Sequence, residues 1–239
     1  MSEPVTVERV LVIAAHPDDI DFGAAGTIAT WTASGIEVSY CLCTDGDAGG
    51  FDESVSRADM ARIRRAEQTA AAEAVGVHEL HWLGHPDGRL YVTHDLRRDI
   101  SRVIRTVRPQ RVLSQSPTRN LERIYASHPD HLACGEATLA AVYPDARNPF
   151  AHPQLLEEEH LEPWAVAETW LMAHPKGDTW VDITDSFPRK VAALRCHESQ
   201  VGHREDLETM LRDWGTRIAI EGELGEGRLA EGFLRVDTR

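Results

Sequence analysis

The chain has 239 residues, 42% of them hydrophobic and 27% charged, which is ordinary globular material with enough apolar content for one large α/β domain. A formal net charge of −14, with arginines scattered along helical stretches rather than gathered on one face, excludes a nucleic-acid-binding surface. No stretch is long and apolar enough to span a membrane, and MSEPVTVERV at the start lacks the basic and apolar regions of a signal peptide, so a cytoplasmic protein is expected.

Val10 to Ala15 is an unbroken apolar run, the pattern of a strand covered on both faces, and AAGTIATWTASG after it reads as a helix ending at Gly35. Ile36 to Cys43 is a second strand, followed by the Gly- and Asp-rich loop TDGDAGGFDES and a long helix from about Arg57 to Val75 that stops at Gly76. Leu80 to Leu83 is a short strand. GHPDGRL makes a turn, and the helix Asp95 to Val107 ends before Pro109. Arg111 to Ser114 starts another strand and Pro129 to Val142 another helix. From Tyr143 to Pro163 the pattern loosens into an irregular surface excursion, a candidate for substrate choice or for a contact in a homo-oligomer. Strands at Trp164 to Met172 and Trp180 to Ile183, and helices at Phe187 to Glu198 and Glu205 to Trp214, complete the core. The tail EGELGEGRLAEG has no pattern that places it. Strands alternating with helices predict a doubly wound, mostly parallel Rossmann-like sheet with helices on both faces, a single domain over 1–239. Cys41, Cys43, Cys134 and Cys196 form no CxxC pair and read as reduced thiols.

The first strand ends in AHPDD, which crowds His16, Asp18 and Asp19 where burial and like charge both penalise ionisation. A bound cation turns that crowding into a requirement. Ligands of doubly wound sheets sit at the carboxyl ends of the strands, and a second loop, SHPDHLACG, follows the strand RVLSQS to the same edge. His16, Asp19 and His131 would then form a two-histidine, one-carboxylate set suited to zinc, with a fourth position open. The competing reading of 128–131 is a helix start, with Asp130 favoured in the first turn by the dipole. His85 reads as part of its Pro-Asp-Gly turn, and His152 and His174, without close acidic partners in sequence, read as loop residues.

AHPDD at 15–19 followed by Gly23, HPDH at 128–131, RRAEQTAAAEAVGV at 64–77 and HESQ at 197–200 together resemble the LmbE/PIG-L family of zinc-dependent de-N-acetylases, over about residues 8–143 and again near the end. The resemblance implies that His16, Asp19 and His131 bind zinc, that Asp18 is the general base, that His128 assists at the carbonyl oxygen and that Asp130 orients a neighbouring histidine. These roles suit the chemistry: metal acidifies water, a free carboxylate takes its proton, and a protonated His128 fixed by Asp130 would steady an oxyanion. By the same similarity Arg64 would reach the substrate, although an i, i+3 pair with Glu67 explains it equally well. Asp47 would hydrogen-bond sugar hydroxyls, or is simply a turn residue. His197 either approaches the site or sits at a helix end facing the dipole. The expected substrate is an N-acylated, most plainly N-acetylated, amino-sugar derivative. A larger amide conjugate, a phosphoester and a non-catalytic sugar-binding module are the alternatives.

Overall fold

Strand β1, Arg9–Ala14, is buried from Val10 onward because both faces of the sheet are covered. Val10, Val12 and Ala14 point into one apolar cluster, Leu11, Ile13 and Ala15 into another. That division fixes the layers. The computed structural model describes residues 5–239, and the seven strands are β1, β2 (Glu37–Thr44), β3 (Glu79–His85), β4 (Arg111–Gln115), β5 (Glu168–Met172), β6 (Thr179–Asp182) and β7 (Ala230–Asp237). They form one sheet in the order β3-β2-β1-β4-β5-β7-β6, parallel except for β7, which runs against both its neighbours.

Helices α1 (Asp19–Ala33), α2 (Arg57–Ala74) and α6 (Phe187–Arg195) cover the first face through Ile20, Ala24, Ile28, Ala71, Ala72 and Ala193. Helices α3 (His94–Val107) and α4 (Pro129–Ala140) cover the second through Leu96, Ile100, Ile104, Cys134 and Ala137. The expected doubly wound architecture is therefore present. The two short helices α5 (Pro153–Glu157) and α7 (Glu198–Val201) lie in connections, and α8 (Leu207–Glu221) packs Leu207 and Leu211 against Phe187, Val191 and Leu194 of α6. No helix among the described residues is long and apolar enough to cross a membrane.

Three readings change. The unplaced tail is the end of α8, a turn, and the start of β7, which inserts between β5 and β6 as the antiparallel strand. Its glycines punctuate the turn and hide the strand that follows. The segment 143–163 contains the short helix α5, and it is pinned to the core. The guanidinium of Arg105, 2% exposed, donates to the carbonyls of Asp145, Ala146, Asn148 and Ala151, doing for this loop what a ladder does for a strand. His152 is the third change: far from being a free loop residue, it is buried with Nε2 3.3 Å from Asp145 Oδ2, while Arg97 holds the same carboxylate with two hydrogen bonds. His85 and His174 have local partners, Asp99 and Lys176 respectively.

The order 2-1-4-5 places the switch point of the winding between β1 and β4, where consecutive connections leave on opposite faces and a crevice opens. Gln115, the last residue of β4, bridges it by accepting the Ala15 N–H at 2.9 Å. Helix α4 is seated on this edge at Gly135, where a methyl group would stand 2.4 Å from the Gln115 carbonyl oxygen and 2.8 Å from Pro117 N. Since neither backbone atom can move aside freely, Gly135→Ala is expected to cost about 1–3 kcal/mol, the usual range for overpacking. Urea unfolding checks this: the midpoint should fall at unchanged slope, and an unshifted midpoint would mean that α4 is not seated so closely.

Candidate active site

The chain leaves β1 through Ala15, His16 and Pro17 and enters α1 at Asp19, so both aspartates fall at the positive end of a helix. Asp18 stands at the turn with φ of 79°, a left-handed conformation that costs a non-glycine residue about 1–3 kcal/mol and persists only when its surroundings impose it. The consequence is a divergence of side chains. Asp19 turns back, its Oδ2 accepting the His16 N–H at 2.8 Å, whereas Asp18 Oδ2 faces Arg64 Nη2 at 3.0 Å.

The second loop runs from β4 through a 3₁₀ turn at Ile124–Ser127 to α4, which has Pro129 at its first position, where a missing N–H is harmless. His128 caps the helix: its Nδ1 accepts the Asp130 N–H at 3.2 Å. An accepting Nδ1 carries no proton, so the neutral ring presents Nε2–H outward. The helix-start reading of 128–131 is thus correct, and it coexists with a place in the site.

The two loops meet. Asp19 lies between two imidazoles, with Oδ1 2.9 Å from His131 Nε2 and Oδ2 3.2 Å from His16 Nδ1. The ring centroids of His16 and His131 are 5.3 Å apart, and that of His128 is 5.1 Å from His16. On its far side His16 Nε2 faces Asp87 Oδ1 at 3.1 Å and Asp130 Oδ2 at 3.2 Å. Hydrogen bonding there places a proton on Nε2 and turns Nδ1 toward Asp19, the ring orientation that carboxylates give to metal-binding histidines. The histidine that Asp130 orients is therefore His16. The expectation that it fixes the His128 ring is corrected: Asp130 reaches His128 only through its backbone N–H.

Charge in this cluster is balanced among few groups. Burial opposes ionisation of Asp19, yet His131 and His16 beside it hold its carboxyl well below the usual range. Burial likewise opposes charge on His16, but Asp19, Asp130 and Asp87 hold its pKa well above the ordinary value. Burial pushes Asp18 up to about 6, with Arg64 pulling the other way and Asp19 adding to the rise. His128 moves down, through burial first and then the neighbouring His16 and His131. Two adjacent carboxylates are thereby driven apart, a pattern that accompanies divided acid–base roles.

Of the expected site residues, His16, Asp18, Asp19, His128, Asp130 and His131 come together. Arg64 does not extend outward: it is 4% exposed and donates to the carbonyls of Gly46 and Pro17 as well as to Asp18. Gly46, with φ of 67°, leaves room for it, since a methyl group there would stand 2.5 Å from Nη1. Asp47 is half-buried nearby and pairs with Arg57 at 2.7 Å. His197 does sit at a helix end, directly after the C-cap of α6 and with its N–H bonded to the Leu194 carbonyl, and its ring is fully buried with Nε2 2.8 Å from Asp21 Oδ2. Asp87 went unrecognised because Pro-Asp-Gly explains itself as a turn. Its buried carboxylate also accepts the Ala48 N–H at 2.8 Å, and its pKa is lowered to about 2, burial opposing and His16 favouring the charge.

Residues 11–142 match the family model described as PIG-L, GlcNAc-PI de-N-acetylase. The chain is 36% identical to the diacetylchitobiose deacetylase of Thermococcus kodakarensis over 98% of its own length and 85% of that protein's. It is 31% identical to a Bacillus cereus protein named "Probable N-acetyl-alpha-D-glucosaminyl L-malate deacetylase 2", over 88% and 89% of the two chains. The solved structure of N,N'-diacetylchitobiose deacetylase from Pyrococcus horikoshii superposes with a TM-score of 0.87 at 32% identity, covering 97% of this chain and 85% of that one. With the paired histidine motifs converging at the switch point, the chain belongs to the PIG-L family of de-N-acetylases.

Proposed function

We propose that this protein is a zinc-dependent hydrolase that removes an N-acetyl group from a small amino-sugar derivative, releasing acetate and the free amine. The observation that carries the reading is Asp19 held between His16 and His131 with Asp18 turned away beside it, in a chain so similar to deacetylases of N-acetylglucosamine compounds. His16 Nδ1, Asp19 and His131 Nε2 offer the two-nitrogen, one-oxygen donor set that zinc takes at sites with an open position, and each imidazole nitrogen already lies within 3.2 Å of one oxygen of Asp19. Bound there, zinc would supply Lewis acidity toward the amide carbonyl and lower the pKa of water at its open position.

The remaining work falls to the chain. Asp18, pushed up to about 6 and not needed as a ligand, takes a proton from the attacking water and returns it to the leaving nitrogen. His128 serves as a hydrogen-bond donor to the developing oxyanion through Nε2–H, because its Nδ1 is occupied at the helix N-terminus. Asp130 holds His16 by Nε2, the ring orientation in which Nδ1 faces Asp19, where the metal would bind. Asp47, partly exposed and paired with Arg57, would meet sugar hydroxyls.

Acetate release from a panel of N-acetylglucosamine derivatives tests the reaction. Zinc-loaded wild type should release acetate from some members and lose this on chelation, with recovery on zinc addition. Release of a larger acid, or of phosphate from phosphoesters, with no acetate from any sugar, would replace the substrate assignment. For Asp18→Asn, turnover should fall by a factor on the order of 10² or more at unchanged zinc content, the usual contribution of a positioned base. His131→Ala should lose the metal itself, and full zinc occupancy by elemental analysis would show that the ligand lies elsewhere.

A further inference from the structure

Asp18 is the proposed base, yet nothing in its own side chain explains how it is kept in a left-handed conformation. Its backbone is gripped instead. The Asp18 N–H donates to Gln68 Oε1 at 2.9 Å, and the Pro17 carbonyl just before it accepts from Arg64 Nη2 at 2.6 Å. Gln68 and Arg64 are four residues apart on α2 and so project from the same face.

Gln68 is fully buried, and its amide is not free to turn over. Oε1 faces a group that can only donate, and Nε2 donates at 2.8 Å to Asp21 Oδ2, a carboxylate that accepts. The same oxygen takes His197 Nε2 at 2.8 Å, and neither Asp21 nor His197 has any exposed surface. His197 is in turn fixed by its neighbours in sequence, since Ser199 donates through both N and Oγ to Glu67 at 2.7 Å each. Two stretches that supply no ligand and no reacting group, RRAEQ at 64–68 and HESQ at 197–200, are thus tied to each other and to the turn at Asp18.

We infer that Gln68 is a positioning residue for the hydrolysis, holding Asp18 in its left-handed turn by a backbone hydrogen bond, with Asp21 and His197 setting the orientation of the Gln68 amide. The inference rests on Asp18 being the base. Gln68 hydrogen-bonds neither Asp19 nor His16, His128 and His131, so its hydrogen bond to the proposed site is the one to the Asp18 backbone. Asp19 and the histidines, held from α4 and from the turn carrying Asp87, keep their places.

The test measures kcat, KM, zinc content and thermal midpoint for Gln68→Leu, with acetate release from the best N-acetylglucosamine derivative. A fall in kcat of about 10- to 100-fold is expected, the usual cost of losing a group that orients an active-site residue, with KM within about twofold and zinc retained. A crystal structure of the same variant should show Asp18 displaced from its left-handed conformation. Wild-type kcat in a folded, zinc-loaded Gln68→Leu overturns the inference, as does Asp18 unmoved in that structure. Should Gln68→Leu fail to fold, His197→Gln and His197→Leu decide the matter. Glutamine can still donate to Asp21 and should keep most of the turnover, whereas leucine should lose it, and equal losses in two folded variants overturn the inference. Wild-type turnover by Asp18→Asn is a different failure: it removes the base assignment, and the positioning role falls with it.

Discussion

The structure turns on the repulsion between two adjacent carboxylates at the end of a buried strand. Asp18 and Asp19 cannot share one environment, because burial already disfavours charge on each and proximity adds to the penalty. The left-handed backbone at Asp18 resolves the conflict by sending the side chains to different partners. Asp19 is given two imidazoles and keeps its charge; Asp18 is given one guanidinium in a largely buried position, and burial leaves its affinity for a proton high. One dihedral angle separates the surroundings of the two carboxylates.

That angle is expensive, and the surrounding fold is arranged to hold it. Helix α2 supplies Arg64 and Gln68 to the backbone on either side, and the glycines of the loop after β2 let the chain come close enough for Arg64 to be enclosed. From the opposite side, α4 is pressed onto the end of β4 at Gly135, which sets the height of His128 and His131 over the crevice. The turn after β3 closes the third side through Asp87, and Asp130 binds that turn by accepting the N–H groups of Gly88 and Leu90. Buried polar groups are costly unless paired, and here the pairing of each one fixes the position of another.

Much of this was legible in the sequence for reasons that are local. The alternation of apolar strands and helices follows from burial on both faces of a parallel sheet, and it appears in single segments such as Val10 to Ala15. AHPDD and HPDH announced themselves because their residue types are improbable at the edge of a core unless something repays them. β7 was not legible, since its partners β5 and β6 are distant in the chain and its start is masked by a glycine-spaced turn. Nor was the anchoring of the excursion by Arg105, a residue that on composition belongs at the surface.

The sequence by itself determined most of the strands and helices of the core, that two histidine-bearing loops lie at the carboxyl ends of β1 and β4, and which residue types gather there. Tertiary structure alone decided what those residues do to one another. It assigned Asp130 to His16 rather than to His128, turned Arg64 inward onto Asp18, brought Asp87 out of an unremarkable turn into the site, and buried His197 against Asp21. The physical reason is that propensity and periodicity are properties of neighbours along the chain, whereas a hydrogen bond between residues 21 and 197 depends on how four separate elements pack, and no local pattern records that.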